Sequence, residues 1–175
     1  MANKLSPVQI ADLAKSSYQA GDYPSAAQTF AEAASAFGEL GDIPMSAEMK
    51  NNQSVALLRN KQALAALEAA RGTETIFADV GDSRRKGMAL ANQASALEAL
   101  KRYKDAIDFY TRAGEALEEV GDVDYRLEVM QLLSTLYLRR FKFFDAIIAL
   151  QSGLVAVNNP TPKQRFMKKL LFFRL

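Results

Sequence analysis

Four alanines set the frame of this chain. Ala26, Ala66, Ala106 and Ala146 follow one another at intervals of 40 residues. A Gly-Asp pair keeps the same beat at Gly41-Asp42, Gly81-Asp82 and Gly121-Asp122. A fixed period of this length builds an array of one small unit stacked on itself, because each copy leaves an apolar face that only its neighbour can cover. Such arrays present extended surfaces to other chains.

Each unit reads as two helices. Apolar residues return every three or four positions through Leu90, Ala94 and Leu97, and again through Tyr103, Ala106, Ile107, Tyr110 and Ala113. Breakers fall between such segments at Gly21-Asp22, at Asn60-Lys61 and at the three Gly-Asp pairs. Glycine takes the left-handed backbone that ends one helix, and the following aspartate accepts from the free N–H groups that open the next. The spacing predicts helix pairs over 7–20 and 23–39, 43–59 and 62–79, 83–99 and 103–119, and 123–139 and 142–157. A helix of about 17 residues is roughly 25 Å long. The expected architecture is all-α: an α-solenoid of antiparallel helix pairs within residues 1–160, in units 7–40, 43–80, 83–120 and 123–158, followed by a C-terminal segment 161–175.

The alanines have a packing reason. Twelve positions before each lies a second small residue: Ala14, Ser54, Ala94 and Ser134. Small side chains at both places let the helices of a pair approach closely. Tyr23, Tyr103 and Phe143, three residues before the alanine, and Phe30, Tyr110 and Leu150, four after it, fill the seam.

Composition narrows the function. Cysteine, histidine and tryptophan are absent, which removes disulfides, thiolate or imidazole zinc sites and the usual His- or Cys-based catalysis. No phosphate-binding glycine loop occurs, and Gly72 and Gly87 stand alone. The expectation is a non-enzyme without cofactor or metal. No run of 18 uncharged apolar residues is present, so no spanning helix is expected. The first seven residues have no apolar signal core, and a cytoplasmic location is expected. The net charge of +2 hides an asymmetry: Lys163, Arg165, Lys168, Lys169 and Arg174 leave 17 basic residues against 20 acids in the rest. That slightly acidic body argues against a nucleic-acid partner, which needs a basic stripe. Arg84-Arg85-Lys86 follows a Gly-Asp joint and reads as a solvated first turn.

The pattern resembles the tetratricopeptide repeat. The fullest match is Ala94, Leu97, Tyr103, Ala106, Tyr110 and Ala113; the first unit matches at Leu13, Ala14, Tyr23, Ala26, Phe30 and Ala33, and the fourth at Ser134, Tyr137, Phe143, Ala146 and Leu150. The second unit is degenerate, with Ala63 and Ala70 where aromatics are usual. The resemblance covers residues 7–158. The common form repeats every ~34 residues. The longer period here is similar to the subgroup found in kinesin light chain, Pins-type adaptors, bacterial Rap-type regulators and soluble NSF attachment proteins.

The resemblance implies a function. First helices of such arrays line a concave face, and an asparagine two residues before the small residue often holds a peptide backbone. That position carries Asp12, Asn52, Asn92 and Leu132. An amide offers a donor and an acceptor and so pairs with an extended chain of any sequence; the alternative is an amide that simply solvates a polar face. Asn51, Lys15, Arg59, Glu128, Gln131 and Arg139 are neighbouring candidates for that face. The cations with which chaperone-binding members clamp a terminal carboxylate are missing, since the matching positions hold Val8, Asp12, Met88 and Asn92. The expected role is a protein-binding scaffold or adaptor for a peptide or partner segment, with a membrane-associated adaptor using the basic C-terminal helix, or a peptide-sensing regulator, as alternatives. Self-association is also open.

The C-terminal segment 161–175 is expected to be a basic amphipathic capping helix, with a membrane contact or a protein interface as the alternatives. Thr161 suits an N-cap and Pro162 a first turn. As a capping helix it would lay Phe166, Met167, Leu170 and Leu171 on the apolar fourth unit, at Phe143, Phe144, Ile147, Ile148 and Leu154. As a basic amphipathic helix it would instead make a membrane contact through Lys163, Arg165, Lys168, Lys169 and Arg174.

Overall fold

The Gly-Asp joints behave as their chemistry suggests. In the computed structural model, which describes residues 5–171, Gly21, Gly41, Gly81 and Gly121 take positive φ of 79°, 76°, 70° and 67°. The aspartates after them cap the next helices. Asp22 accepts from the Ser25 N–H at 3.2 Å, Asp42 from Met45 at 3.1 Å, Asp82 from Arg85 at 2.8 Å and Asp122 from Tyr125 at 3.2 Å. The described residues form ten helices and no strand. They are α1 (Pro7–Gln19), α2 (Tyr23–Glu39), α3 (Ile43–Arg59), α4 (Ala63–Ala70), α5 (Thr73–Asp79), α6 (Ser83–Ala99), α7 (Tyr103–Glu119), α8 (Val123–Arg139), α9 (Phe143–Val155) and α10 (Pro162–Leu171). The fold is an all-α helical repeat array.

The two small-residue series form its spine. Ala26, Ala66 and Ala106 are fully buried and Ala146 nearly so, as are Ala14, Ser54, Ala94 and Ser134. Where the small residue is Ser134, its hydroxyl donates to the Ala146 carbonyl at 2.8 Å and so ties the two series together. Phe30 and Tyr110 are buried in the seam, whereas Phe143 is 57% exposed. Most helices pack chiefly on their neighbours in sequence, while the two pieces α4 and α5 each pack on both α3 and α6, and the first helices also meet side by side, α3 on α6 and α6 on α8. No helix among the described residues is long and apolar enough to cross a membrane.

Two expectations need correction. The helix predicted over 62–79 is broken. Arg71 is extended (φ −58°, ψ 128°) and Gly72 is left-handed (φ 79°), so α4 stops and α5 restarts in a new direction. Glycine adopts that backbone without a Cβ clash. Thr73 then plugs the gap, with its hydroxyl 2.6 Å from the Ala70 carbonyl that the break leaves unpaired. No residue is inserted, which is why the 40-residue count conceals the joint.

The second correction concerns α10. Thr161 and Gln164 form a reciprocal cap, with the Gln164 N–H donating to Thr161 Oγ1 at 3.3 Å and the Thr161 N–H to Gln164 Oε1 at 2.7 Å. The helix reaches α9 through Met167 and Leu171, which pack on Leu150, Leu154 and Val157. Phe166 and Leu170 face solvent at 68% and 67% exposure, and Phe143, Phe144, Ile147 and Ile148 stay uncovered. The helical period allows one face to dock, and Lys168 on that side caps α9 by donating to the Val157 carbonyl at 2.7 Å.

Candidate functional site between the second and third units

Asn52 and Asn92 hold the same place on α3 and α6, and the packing of these two helices brings them to one cleft of about 170 Å³. Glu48, Arg84, Arg85 and Met88 also line it. Phe77 of α5, 1% exposed, forms its apolar base. Both asparagines are half-buried, and neither side chain is hydrogen-bonded to another described residue. Two uncommitted amides therefore face one small space, each with a donor and an acceptor to offer.

The cleft carries a fixed cation. Arg85 donates from Nε to Asp82 at 2.6 Å and from Nη1 to Glu48 at 3.1 Å, and its guanidinium lies 5.0 Å from the Phe77 ring centroid. The bonds to Asp82 raise the Arg85 pKa, while the Arg85 backbone N–H, then the side chain, holds Asp82 below the usual carboxylate range. Arg84 bonds Asp122 at 2.6 Å and stacks on Tyr125 at 4.8 Å. Of the first turn Arg84-Arg85-Lys86, Arg84 is exposed as expected although it also reaches Asp122, whereas Arg85 is half-buried and bridges to the preceding unit, which corrects the solvated reading for that residue. The clue lay in the period: Glu48 and Asp122 stand 37 and 38 residues from their arginines, close to one repeat and therefore on adjoining units.

The other candidates fall elsewhere. Asn51 lines the cleft but is 6% exposed, and its amide oxygen lies 3.2 Å from the Thr73 hydroxyl, so it serves the α4–α5 joint. Asp12 and Lys15 are exposed on α1 and pair at 3.5 Å. Arg59 donates to the Tyr23 hydroxyl at 3.2 Å and lies over its ring, clasping the second unit to the first. Arg139 does the same between the fourth and third through Glu98 at 2.7 Å. Glu98 also accepts from the buried Tyr110 hydroxyl at 3.3 Å, and burial above all raises the pKa of that phenol. Glu128 and Gln131 are exposed on α8 and do not line the cleft. Of the C-terminal cations, Lys163, Arg165 and Lys169 are exposed, and Arg174 lies outside the described residues.

A second groove, of about 350 Å³, lies between α7, α8 and α9. Arg126 on its wall is buried and donates to the Ser152 carbonyl and, at 2.8 Å, to the Ser152 hydroxyl, with Glu118 3.2 Å away. These bonds lock α8 to α9.

Comparison with known proteins agrees with the helical repeat fold. The family model described as tetratricopeptide repeat matches residues 11–81. No curated protein matches the sequence. Among solved structures, the nearly identical TPR-like repeats of a putative kinesin light chain from Podosopora anserina superpose with a TM-score of 0.75 at 15% identity, covering 98% of this chain and 86% of that one. A single-residue variant of those repeats gives 0.76 at 15% identity, over 97% and 86%. BtubC (BKLC) from P. vanneervenii gives 0.75 at 18% identity, over 94% and 70%.

Proposed function

From the premise that this chain is an array of tetratricopeptide-type repeats, we propose that it is a non-catalytic scaffold whose first-helix face holds an extended segment of a protein partner. The observation that carries the reading is the convergence of Asn52 and Asn92, both uncommitted, on one cleft. A peptide backbone presents alternating N–H and C=O groups, and two amides one repeat apart meet them without reference to side chains. The Arg85 guanidinium, held between Asp82 and Glu48, adds a fixed donor set beside them. Repeat proteins in general bind protein partners, and the groove formed by stacked units is the surface they use.

The test is a double substitution, Asn52→Ala with Asn92→Ala. Peptides selected by the unmodified protein from an arrayed library are titrated by fluorescence anisotropy against both forms. Affinity falls by about tenfold or more, the equivalent of one or two hydrogen bonds, while the melting temperature stays nearly unchanged. Unaltered affinity removes the reading.

A further inference from the structure

The outward stripe of α9 breaks the pattern of the other units. Ile148 stands where Gln28, Glu68 and Asp108 stand, and Val155 where Ser35, Thr75 and Glu115 stand. All six polar residues are exposed, including those of the third unit, on which the fourth is stacked. The exposure of Ile148 and Val155 is therefore not a result of lying at the end of the array. A further unit stacked there would leave the same positions in water.

The turn before α9 departs further. Phe141 occupies the left-handed position (φ 59°) that Gly21, Lys61 and Lys101 hold in the other units. Phe141 and Phe144 are 81% and 85% exposed, more than any other large apolar side chain described. A bulky aromatic at positive φ is strained, and holding it in water forgoes its burial. Among the described residues the one ring that Phe141 meets is that of Phe143, edge-on, 6.4 Å between ring centroids and itself 57% exposed. That contact is too slight to account for two large apolar side chains held in water, which points to a use outside the fold.

Charge identifies the use. A groove of about 520 Å³ beside this turn is lined by Lys101, Lys104, Arg140 and Lys142, and the acid within it, Asp105, is tied to Arg102 at 2.7 Å. From residue 139 onward there are eight basic residues and one acid, against 14 and 19 in the rest of the chain. That one acid, Asp145, sits about 100° round α9 from Phe144, in the groove with Glu115 and Glu118. Two largely exposed aromatic rings with a cation-lined groove beside them fit a bilayer better than a protein pocket.

We propose that the Arg140–Phe144 turn, with Lys101 and Lys104 beside it, docks this protein on an anionic membrane surface. Phe141 and Phe144 enter the boundary between headgroups and acyl chains, and the cations meet lipid phosphates and carboxylates. Each cation close to the surface raises partitioning roughly fivefold. The exposed Lys163 and Lys169 of α10 add to the same end of the array. This surface is separate from the α3–α6 cleft and does not depend on it.

Vesicle co-flotation tests the proposal, with phosphatidylcholine alone or mixed with phosphatidylserine, at low and high salt. The protein floats with the mixed vesicles at low salt and is released by salt or by omission of phosphatidylserine. Phe141→Lys with Phe144→Lys restores the residues of the third unit and adds two positive charges, yet lowers binding by about tenfold or more because the apolar insertion is lost. Ile148→Asp, again the third unit's residue, lowers it too and serves as a second variant should the double change disturb folding. Asn52→Ala with Asn92→Ala floats like the unmodified protein. Failure to float with anionic vesicles overturns the proposal, and so does equal or stronger binding of the double-lysine variant. Conversion of a dimer to a monomer by that variant in size-exclusion chromatography assigns the face to a second copy and also overturns it.

Discussion

Thr73 at the start of α5 and Asn51 in the middle of α3 meet side chain to side chain at 3.2 Å, both buried. One hydroxyl has one proton, and the shorter contact, 2.6 Å to the Ala70 carbonyl, takes it. The Asn51 amide, turned so that its NH2 faces the hydroxyl oxygen, completes the pair, since amide N and O exchange by a half-turn. This contact fastens the broken second helix of the second unit to the first. Thr73→Val leaves two buried polar groups without partners and costs about 1–3 kcal/mol. Asn51→Ala costs a similar amount, whereas Asn52→Ala stays within about 0.5 kcal/mol. Urea denaturation midpoints separate the three. Equal midpoints for the two asparagine variants would show that Asn51 is not part of the joint.

Glycines inside the helices differ in what they tolerate. A Cβ on Gly153 of α9 would meet the Met130 Cβ at 2.8 Å and the Leu127 Cα at 3.3 Å, atoms close to the α8 backbone that cannot swing aside. On Gly114 of α7 it would meet Met130 Cε at 2.0 Å, the far end of a flexible side chain. Alanine gains up to about 1 kcal/mol over glycine inside a helix, and overpacking costs about 1–3 kcal/mol. Gly153→Ala is therefore destabilising and Gly114→Ala close to neutral, as read by thermal melts. The reverse order would contradict the packing described between α8 and α9.

Asp82 makes stability depend on pH in a defined direction. Its carboxylate accepts from the Arg85 backbone and side chain, which holds its pKa below the ordinary value. A carboxyl depressed in the folded state contributes stability that is complete above its unfolded pKa, about 3.9, and is lost as pH falls through the lower folded value. The melting temperatures of the unmodified protein and of Asp82→Asn should differ by a constant amount from neutral pH down to about pH 5. The difference narrows below about pH 4 as both forms become uncharged at this site. A gap that persists unchanged into strong acid would show that the charge of Asp82 is not what stabilises the joint.

Much of this was legible in the sequence because period and chemistry coincide. The alanines at 26, 66, 106 and 146 mark buried helix crossings, and each Gly-Asp pair supplies a left-handed residue and a cap in two letters. The break at Gly72 was not legible from periodicity: helical spacing on either side of it continues, and a lone glycine is tolerated inside a helix. Thr73 is the residue that could have signalled it, as a small hydroxyl able to reach back three residues to an open carbonyl. The candidate site was half legible. Equal positions in adjoining repeats brought Asn52 and Asn92 together, but Asn51 and Asn52 differ by one residue and by 100° round the helix, so one turns inward. Arg85 looked solvated because its partner Glu48 belongs to the preceding unit, a distance that local charge patterns do not span. The docking of α10 was misjudged since a helix with apolar residues on more than one face does not declare which will be covered.

The mitre at Gly72 has an effect on the opposite side of the molecule. Among the first helices, α3 and α6 approach one another most extensively, and they do so where the second rod of the pair is bent out of line. The bent piece, α5, packs on both α3 and α6, and its buried Phe77 lies under the slot that Asn52 and Asn92 line, so the floor of the opening is laid from behind by a bend at a residue that does not line it.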